Sequence, residues 1–322
     1  MCVLENESLC INFKNALIKE NIIDSTDSID IKNIYTKTQR GIIINHYIIS
    51  ISNKTQKLFA RMVKEKDCSY HVMPFLKTIK TNSKEFEMPI ALTAPFNINN
   101  HIYIITTYIE GNDLKSLLPT ITTDNLIQIS NKINNNLNKI HSITNDRYSL
   151  NCSFTDKPFN EIMFKKLYEQ IHKNKCIEIF LSNTDKNKLL SKSKRILDSS
   201  SFSKPTLIHM DIKPENIIVS PNNSVQLIDY ELARFGDIDY EWTNILIKNL
   251  ISNNDKFNQF ILIPLLEKNF MSLKQAVKVD KYKTYLLYLS MNMFIYYVKC
   301  GRECPSQIIA LINMLIEQIT NS

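Results

Sequence analysis

Apolar residues recur at helical spacing near both ends of the chain and alternate with polar ones in short β-branched runs between them. From Ile29 to Val63 such runs are separated by turns, which predicts a three-stranded antiparallel sheet. Ile102–Tyr108 predicts one further buried strand. Residues 8–22 predict an amphipathic helix with Ser8 as its N-cap and an apolar face made of Leu9, Phe13, Leu17 and Ile18.

Helical patterns dominate the rest of the chain. Residues 123–142 predict a helix capped by Thr122 or Thr123, with its apolar face made of Leu126, Ile129, Ile133, Leu137 and Ile140. Further helices are predicted over residues 67–81, in the Lys-rich stretch 158–199, and over 243–252, 255–268, 273–300 (with a break near Asp280) and 305–320. The pattern predicts an α+β fold with a small antiparallel sheet first and a larger, mostly helical part after it.

One stretch, Leu207–Glu231, combines polar residues at fixed spacing with a predicted hairpin. It contains His209-x-Asp211-x-x-x-x-Asn216, and Asp229 follows thirteen residues after Asn216. Two apolar runs flank the turn-forming sequence Ser-Pro-Asn-Asn-Ser, so the second strand would bring Asp229 back beside Asn216.

Phosphoryl transfer is the chemistry that needs this set, because it depends mainly on positioning charge. Asp211 would meet the acceptor hydroxyl and take its proton. Asn216 and Asp229 would supply hard oxygen ligands for Mg²⁺. Lys213 could approach the transferring phosphate, with a solvated loop lysine as the alternative, and His209 and His141 are interpreted as structural.

Composition is that of an ordinary globular protein, with 44% apolar and 22% charged residues among 322. The net charge of +7 is spread along the chain, so nucleic-acid binding is not expected, whereas attraction to phosphates is. Seven scattered cysteines indicate neither a disulfide framework nor a zinc site. The first ten residues lack a signal-peptide pattern, and residues 283–300 are too polar to cross a membrane. We expect a cytoplasmic protein without membrane partners.

With these residues the chain resembles the protein-kinase-like superfamily. Its catalytic loop is worded much like that of a eukaryotic-type protein kinase, but its layout is similar to that of the small-molecule kinases related to aminoglycoside phosphotransferases and choline kinases. Tyr108 and His209 are 101 positions apart, only 93 residues follow Asp229, and Gly236-Asp237-x-x-x-Glu241 opens a helix. This spacing favours the small-molecule branch, because it leaves no room for an activation segment.

The resemblance implies a two-lobed fold with an N-lobe over 1–108 and a helical C-lobe over 109–322. Adenine would bind at a hinge formed by Tyr108, Ile109 and Glu110. Arg61 would contact the phosphates, with Lys64 as the alternative, and either Glu65 or Glu85 would pair with that cation or the pair is missing. Gly41–Tyr47 occupies the place of the nucleotide loop but keeps one glycine.

The function expected from this resemblance is an ATP- and Mg²⁺-dependent phosphotransferase acting on a hydroxyl of a small molecule, with GTP as the alternative nucleotide. Two alternatives stay open: a kinase that phosphorylates protein, and a nucleotide-binding pseudokinase. The sequence leaves the acceptor and the oligomeric state open, although its terminal helices are not acidic enough to favour a polycationic aminoglycoside.

Overall fold

Residue packing divides the chain into two units. Unit 1 comprises residues 1–116, 151–153 and 213–233, and unit 2 comprises residues 117–150, 154–212 and 234–322. The computed structural model describes residues 3–39, 42–52, 54–55, 57–63, 92–93, 95–99, 101–150 and 153–321. The predicted helix over 67–81 and residues Gly41, Lys64, Glu65 and Glu85 lie outside this described part. The lobe boundary between residues 108 and 109 stays a prediction.

Unit 1 contains a five-stranded sheet that confirms the antiparallel arrangement predicted for residues 29–63. Its strands pair in the order β1-β2-β3-β5-β4, all antiparallel. Their bounds are β1 Ile29–Gln39, β2 Ile42–Ile51, β3 Lys57–Val63, β4 Phe96–Ile98 and β5 His101–Thr107. Residues 42–47, predicted to belong to the nucleotide loop, therefore lie in strand β2.

Helix α1 (Val3–Lys19) covers one face of this sheet, and it begins five residues earlier than the predicted Ser8 cap. Phe13 on this helix is fully buried, and its ring meets Tyr47 and Tyr103 edge-on at centroid distances of 5.7 and 5.3 Å. Aromatic pairs in this geometry add to the free energy gained by burying their area. The spacing of apolar residues on α1 thus sets which face packs against the sheet.

A second, three-stranded sheet in unit 1 carries the predicted hairpin. Its strands are β6 (Asn112–Asp113), β10 (Ile217–Val219) and β11 (Val225–Leu227), in the order β11-β10-β6. Ile217 pairs with Leu227, and the amide of Ile228 donates to the carbonyl of Asn216 over 2.9 Å. The hairpin therefore returns the chain to Asn216 just before Asp229, as predicted.

Unit 2 is mostly helical. Its helices of ten residues or more among the described residues are α3 Thr123–His141, α4 Phe159–Lys173, α5 Asn183–Ser199, α6 Ile238–Ile251, α10 Asp280–Lys299 and α11 Ser306–Asn321. Shorter helices in unit 2 are α7 Asp255–Phe257, α8 Ile263–Asn269 and α9 Leu273–Ala276. Helix α2 (Leu114–Leu117) begins in unit 1, and its last residue is the first of unit 2. Single turns of 3-10 helix cover Lys175–Ile179, Pro214–Asn216 and Tyr230–Leu232, and a π-helical segment covers Asn258–Leu262.

Helix α3 shows how closely the local signals set an element. Thr122 caps it by accepting the amide of Asn125, and the five apolar residues predicted for its face are all buried. Short strands β7 (Tyr148–Leu150) and β8 (Ser153–Thr155) follow it. Strands β9 (Thr206–Ile208) and β12 (Arg234–Gly236) then pair antiparallel and bring the chain before Asp211 next to the start of α6.

Each helix within the described part of the chain is either too short or too polar to cross a lipid bilayer.

Candidate active site

A pocket of about 340 Å³ lies within unit 1 and is lined by five of the residues predicted to bind nucleotide or metal, namely Arg61, Tyr108, Ile109, Asn216 and Asp229. The sheet and the hairpin supply apolar side chains to the same pocket, including Ile34, Phe59, Ile218 and Ile228. Its volume and mixed lining are those of a site for a small organic ligand with charged groups.

Arg61 and Asp229 form an ion pair in this pocket. Nη1 of Arg61 lies 3.1 Å from Oδ1 of Asp229, and the arginine side chain is only 11% exposed. Arg61 lies in the middle of β3, where it pairs with His46 on β2 and Ile104 on β5. A buried guanidinium needs an anionic partner, and here the carboxylate predicted to bind metal is that partner.

Backbone geometry fixes the position of the two predicted metal ligands. Asn216 is buried and closes the 3-10 turn of Pro214–Asn216, in which its amide donates to the carbonyl of Lys213 over 2.9 Å. Asp229 follows strand β11 and adopts the left-handed conformation, with φ of 65°. This conformation is costly for most residues, although aspartate tolerates it better than most. The carboxylate is thus held at a sharp turn at the pocket wall.

The predicted hinge contributes only part of its residues to the pocket. The amide of Tyr108 donates to the carbonyl of Lys57 over 3.2 Å, and Tyr108 and Ile109 both line the pocket. The side chain of Glu110 instead pairs with Lys57, with Nζ and Oε1 2.9 Å apart at an exposed position. Within the described part of the chain, Glu110 is therefore not one of the residues that line the pocket.

Lys213 is also placed outside the pocket lining within the described part of the chain. Its positive charge acts on Glu215 two residues later. Partial burial raises the pKa of Glu215, but the hydrogen bond from Lys115 and the charges of Lys115 and Lys213 outweigh this and lower it. The structure thus places the Lys213 charge near a carboxylate of its own loop.

His46 belongs to the stretch predicted as the nucleotide loop, where no role of its own was predicted for it, and it lines the pocket next to Arg61. Its ring meets Phe59 edge-on at 5.4 Å. Burial, and then the positive charge of Arg61, lowers the pKa of His46 to about 4. His46 is therefore neutral at neutral pH. Its signal in the sequence was weak, because a single histidine in a β-branched run gives no hint of what faces it.

Asp211 belongs to unit 2, where it pairs with Lys248 of helix α6. Nζ of Lys248 lies 2.7 Å from Oδ1 of Asp211, and the two side chains are 22% and 14% exposed. The amide of Asp211 donates to Nδ1 of the buried His209 over 3.2 Å. His209 thus braces the loop through a hydrogen bond.

Glu241 anchors the same loop from the first turns of α6. It is fully buried, and its Oε1 accepts hydrogen bonds from the backbone amides of His209 and Met210 over 2.9 and 2.7 Å. Its Oε2 lies 2.5 Å from Nε2 of His141 at the end of α3. Burial raises the pKa of Glu241, but hydrogen bonding by His141, its charge and the Met210 amide outweigh that effect and hold the pKa below its ordinary value.

Met210 carries backbone strain at the centre of this arrangement. Its φ is 67°, a left-handed conformation that costs a non-glycine residue about 1 kcal/mol or more. Both of its backbone polar groups are satisfied from α6, since Glu241 accepts its amide and Asn244 donates to its carbonyl over 2.7 Å. The surrounding hydrogen bonds therefore hold the residue next to Asp211 in a rare conformation.

Comparison with protein-family models gives one match, to a phosphotransferase enzyme family designated APH, over residues 82–257. This match covers more than half of the chain and includes the predicted hinge, the stretch Leu207–Glu231 and α6. No curated protein sequence matches the chain in a direct comparison.

Solved structures similar to this one include aminoglycoside phosphotransferases and a fructosamine-3-kinase candidate. Aminoglycoside phosphotransferase APH(4)-Ia aligns with a TM-score of 0.62 at 12% identity, covering 98% of both chains. A fructosamine-3-kinase candidate from Haemophilus somnus 129PT aligns with a TM-score of 0.57 at 15% identity, covering 97% of this chain and 99% of its own. The gentamicin complex of APH(2")-IIa gives a TM-score of 0.53 at 14% identity, covering 97% and 96%. At these identities the similarity concerns the fold, and it confirms the predicted kinase-like α+β class.

Proposed function

The chain belongs to the phosphotransferase enzyme family, and from this premise we propose that it is an ATP- and Mg²⁺-dependent kinase that phosphorylates a hydroxyl group of a small molecule. The observation that carries the proposal is the pocket of unit 1, where Arg61, Asn216 and Asp229 line the same space as hinge residues Tyr108 and Ile109. An apolar wall suits a nucleobase, and the charged residues suit its phosphates and metal.

Nucleotide complexes of similar structures support the same reading. Structures of APH(4)-Ia mutants contain ADP or AMP-PNP together with hygromycin B, and a structure of APH(2")-IIia contains GDP and kanamycin. We propose ATP as the phosphoryl donor for this chain and GTP as the alternative. Arg61 would contact the donor phosphates, the backbone at Tyr108 to Glu110 would contact the base, and Lys213 would approach the transferring group.

The residues predicted to hold Mg²⁺ fit that ion chemically. Asn216 and Asp229 offer an amide and a carboxylate oxygen at one pocket, and Mg²⁺ in kinases commonly takes one or two such ligands together with phosphate oxygens. When bound, the ion would neutralise charge on the phosphates. Asn216 and Asp229 would hold the ion, and Arg61 would contact the phosphates.

Asp211 would orient the acceptor hydroxyl and accept its proton. As the acceptor oxygen bonds to the terminal phosphorus, the bond from that phosphorus to the bridging oxygen breaks, and ADP leaves. The hydroxyl proton passes to the Asp211 carboxylate. The products are a phosphate ester and ADP.

The distribution of charge bears on the class of acceptor. Unit 2 contains 24 Lys and Arg against 17 Asp and Glu, whereas unit 1 contains fifteen of each. The whole net charge of +7 therefore lies in the unit that carries Asp211. Such a field repels polycations and attracts anions, so we propose that the acceptor is neutral or anionic rather than an aminoglycoside.

The Asp211→Asn variant tests the proposed function. We expect it to abolish phosphoryl transfer while keeping the rise in melting temperature that ATP and Mg²⁺ give the unchanged protein. Labelled ATP offered with sugars, sugar acids, amino alcohols, kanamycin and a protein panel would identify the acceptor class. Unchanged transfer in Asp211→Asn would count decisively against the mechanism, and transfer confined to protein would favour the protein-kinase alternative.

A nucleotide-binding pseudokinase is the second candidate, because residues 1–108 contain a single glycine, Gly41. Nucleotide loops usually rely on several glycines to bring backbone amides close to phosphates. A rise in melting temperature with ATP and Mg²⁺, without turnover on any acceptor or on water, would support this candidate over the enzyme.

A further inference from the structure

Helix α6 presents a row of three polar side chains to the loop that carries Asp211. Glu241, Asn244 and Lys248 follow one another at spacings of three and four residues, so they lie on one face of the helix. All three contact residues 209–212. We refer to Glu241, Asn244 and Lys248 as the α6 clamp.

Glu241 and Asn244 of the α6 clamp bind backbone groups of the loop, and Lys248 also reaches the predicted catalytic side chain. Lys248 Nζ lies 2.7 Å from Oδ1 of Asp211 and within 3.4 and 3.5 Å of the carbonyls of Met210 and Ile212. The lysine therefore contacts three consecutive residues of the loop.

The contact between Lys248 and Asp211 starts from a helix, α6, that is held firmly in place. Residues 240–243 and 245–247 of α6 are buried, so the helix backbone is fixed by packing on several sides. A carboxylate, in contrast, rotates easily about χ2, because that torsion has a broad and roughly two-fold energy profile. A charge-assisted bond from Lys248 on this fixed helix to Oδ1 therefore restricts the rotation of the Asp211 carboxylate.

On the basis of the proposed function, we propose that Lys248 is a positioning residue for phosphoryl transfer, which holds the Asp211 carboxylate in the orientation that receives the acceptor hydroxyl. Phosphoryl transfer is sensitive to such orientation, because the protein contributes mainly positioning and charge. Lys248 acts through Asp211, so its removal leaves nucleotide binding by unit 1 intact.

Hydrolysis of ATP, with water as the acceptor, tests this role without knowledge of the natural substrate. We expect Lys248→Met to lower kcat by about 10- to 100-fold, which is the loss typical of a misplaced reacting group, while KM for ATP stays within about threefold. Lys248→Arg, which keeps the charge and can still reach a carboxylate oxygen, should recover most of the lost rate. Should Lys248→Met fail to fold, Lys248→Gln removes the charge while keeping a hydrogen-bond donor.

Lys186→Met is the matched control. Lys186 is also a largely buried lysine of unit 2 paired with a carboxylate, since its Nζ lies 3.1 Å from Oε1 of Glu178, but its partner is not in the Asp211 loop. We expect this variant to lose some melting temperature and to hydrolyse ATP at the unchanged rate.

Three results would overturn the role of Lys248: an unaltered kcat in a folded Lys248→Met variant, an equal loss of kcat in Lys186→Met, or a Lys248→Arg variant as slow as Lys248→Met. Each leaves the proposed function standing, because the unchanged protein still hydrolyses ATP. Failure of the unchanged protein to hydrolyse ATP or to transfer phosphate would overturn the proposed function, and the role of Lys248 with it.

Discussion

The guanidinium of Arg61 and the carboxylate of Asp229 are 3.1 Å apart, so the side chain predicted to bind phosphate is paired with the one predicted to bind metal. Both lie in unit 1, 168 residues apart along the chain. The pair satisfies two charged groups at a pocket wall that would otherwise be desolvated without a counter-charge. A nucleotide with its metal offers each group a new partner of opposite charge, so binding can replace the pair without leaving either charge unpaired.

We predict that Arg61→Met weakens binding of ATP with Mg²⁺ by about 10- to 100-fold, the range expected for loss of a charge-assisted hydrogen bond. Isothermal titration measures the affinity directly. Lys54→Met is the control, because Lys54 is an exposed lysine of the same unit that pairs with Asp27 at 3.7 Å and is not part of the pocket lining. Equal affinities of the Arg61 variant and the unchanged protein would remove Arg61 from the nucleotide site.

Gly111 gives a second prediction, about stability. Its φ is 151°, and a Cβ placed on it would lie 2.5 Å from the carbonyl oxygen of Val219 and 2.7 Å from Cγ2 of Ile218. Gly111→Ala therefore combines an unfavourable backbone conformation with a clash against β10, and we expect a loss of about 2 to 4 kcal/mol in the free energy of unfolding.

Gly301→Ala measures the cost of a positive φ without a clash. Gly301 also has a positive φ, of 64°, but a Cβ there would have no atom within 4 Å. We expect it to cost about 1 kcal/mol, from backbone conformation alone. Urea unfolding of both variants gives the comparison, and equal losses would show that close approach of β10 is not what requires glycine at position 111.

The elements that the sequence predicted well are those set by local signals. Helix α3 matches its prediction within one residue, because its apolar spacing is regular and Thr122 caps it. The hairpin of β10 and β11 matches because two β-branched runs enclose a strong turn sequence. Helix α1 begins at Val3 rather than after Ser8, since a plausible capping residue inside a helix gives the same local signal as a true cap.

Site residues that depend on distant parts of the chain were harder to predict. Asn244 and Lys248 touch the Asp211 loop across more than thirty positions, and their residue types alone do not distinguish them from surface residues. Their placement three and seven residues after Glu241, which puts them on the same helix face, was the one available signal. The predictions for Arg61, Asn216 and Asp229 placed these residues at one pocket, whereas their roles in binding and catalysis remain predictions.

Glu241 gives a prediction about acid stability. Its folded pKa is held below the ordinary value of 4.5, so the unfolded chain takes up a proton more readily than the folded chain does. The stabilisation is therefore fully present above about pH 4.5 and is lost as the pH falls through the lowered folded pKa. Glu241→Gln should lower the free energy of unfolding by about 3 kcal/mol at neutral pH, because it breaks a buried charged network. Its free energy of unfolding should also fall less steeply as the pH is lowered.

Urea unfolding between about pH 3 and pH 7 measures both effects. Glu267→Gln is the control, because Glu267 is an exposed glutamate of unit 2. If the free energy of unfolding of Glu241→Gln falls as steeply at acid pH as that of the unchanged protein, other groups cause the acid unfolding.

His46 gives a prediction in a different pH window. Its folded pKa is about 4, because burial and the neighbouring Arg61 disfavour the charged ring, whereas an unfolded histidine titrates near 6.5. Between these values the unfolded chain binds a proton that the folded chain does not, so stability is highest above about pH 6.5 and falls as the pH drops towards 4. Allowing for the partial exposure of the ring, the loss should be about 2 kcal/mol.

His46→Gln, which is neutral throughout, should lose less stability than the unchanged protein between pH 7 and pH 5. His101→Gln removes an exposed histidine of the same sheet and should keep the original dependence. Because Glu241 acts below about pH 4.5, measurements above pH 5 exclude its effect. Identical slopes for all three proteins there would show that His46 is not desolvated beside Arg61.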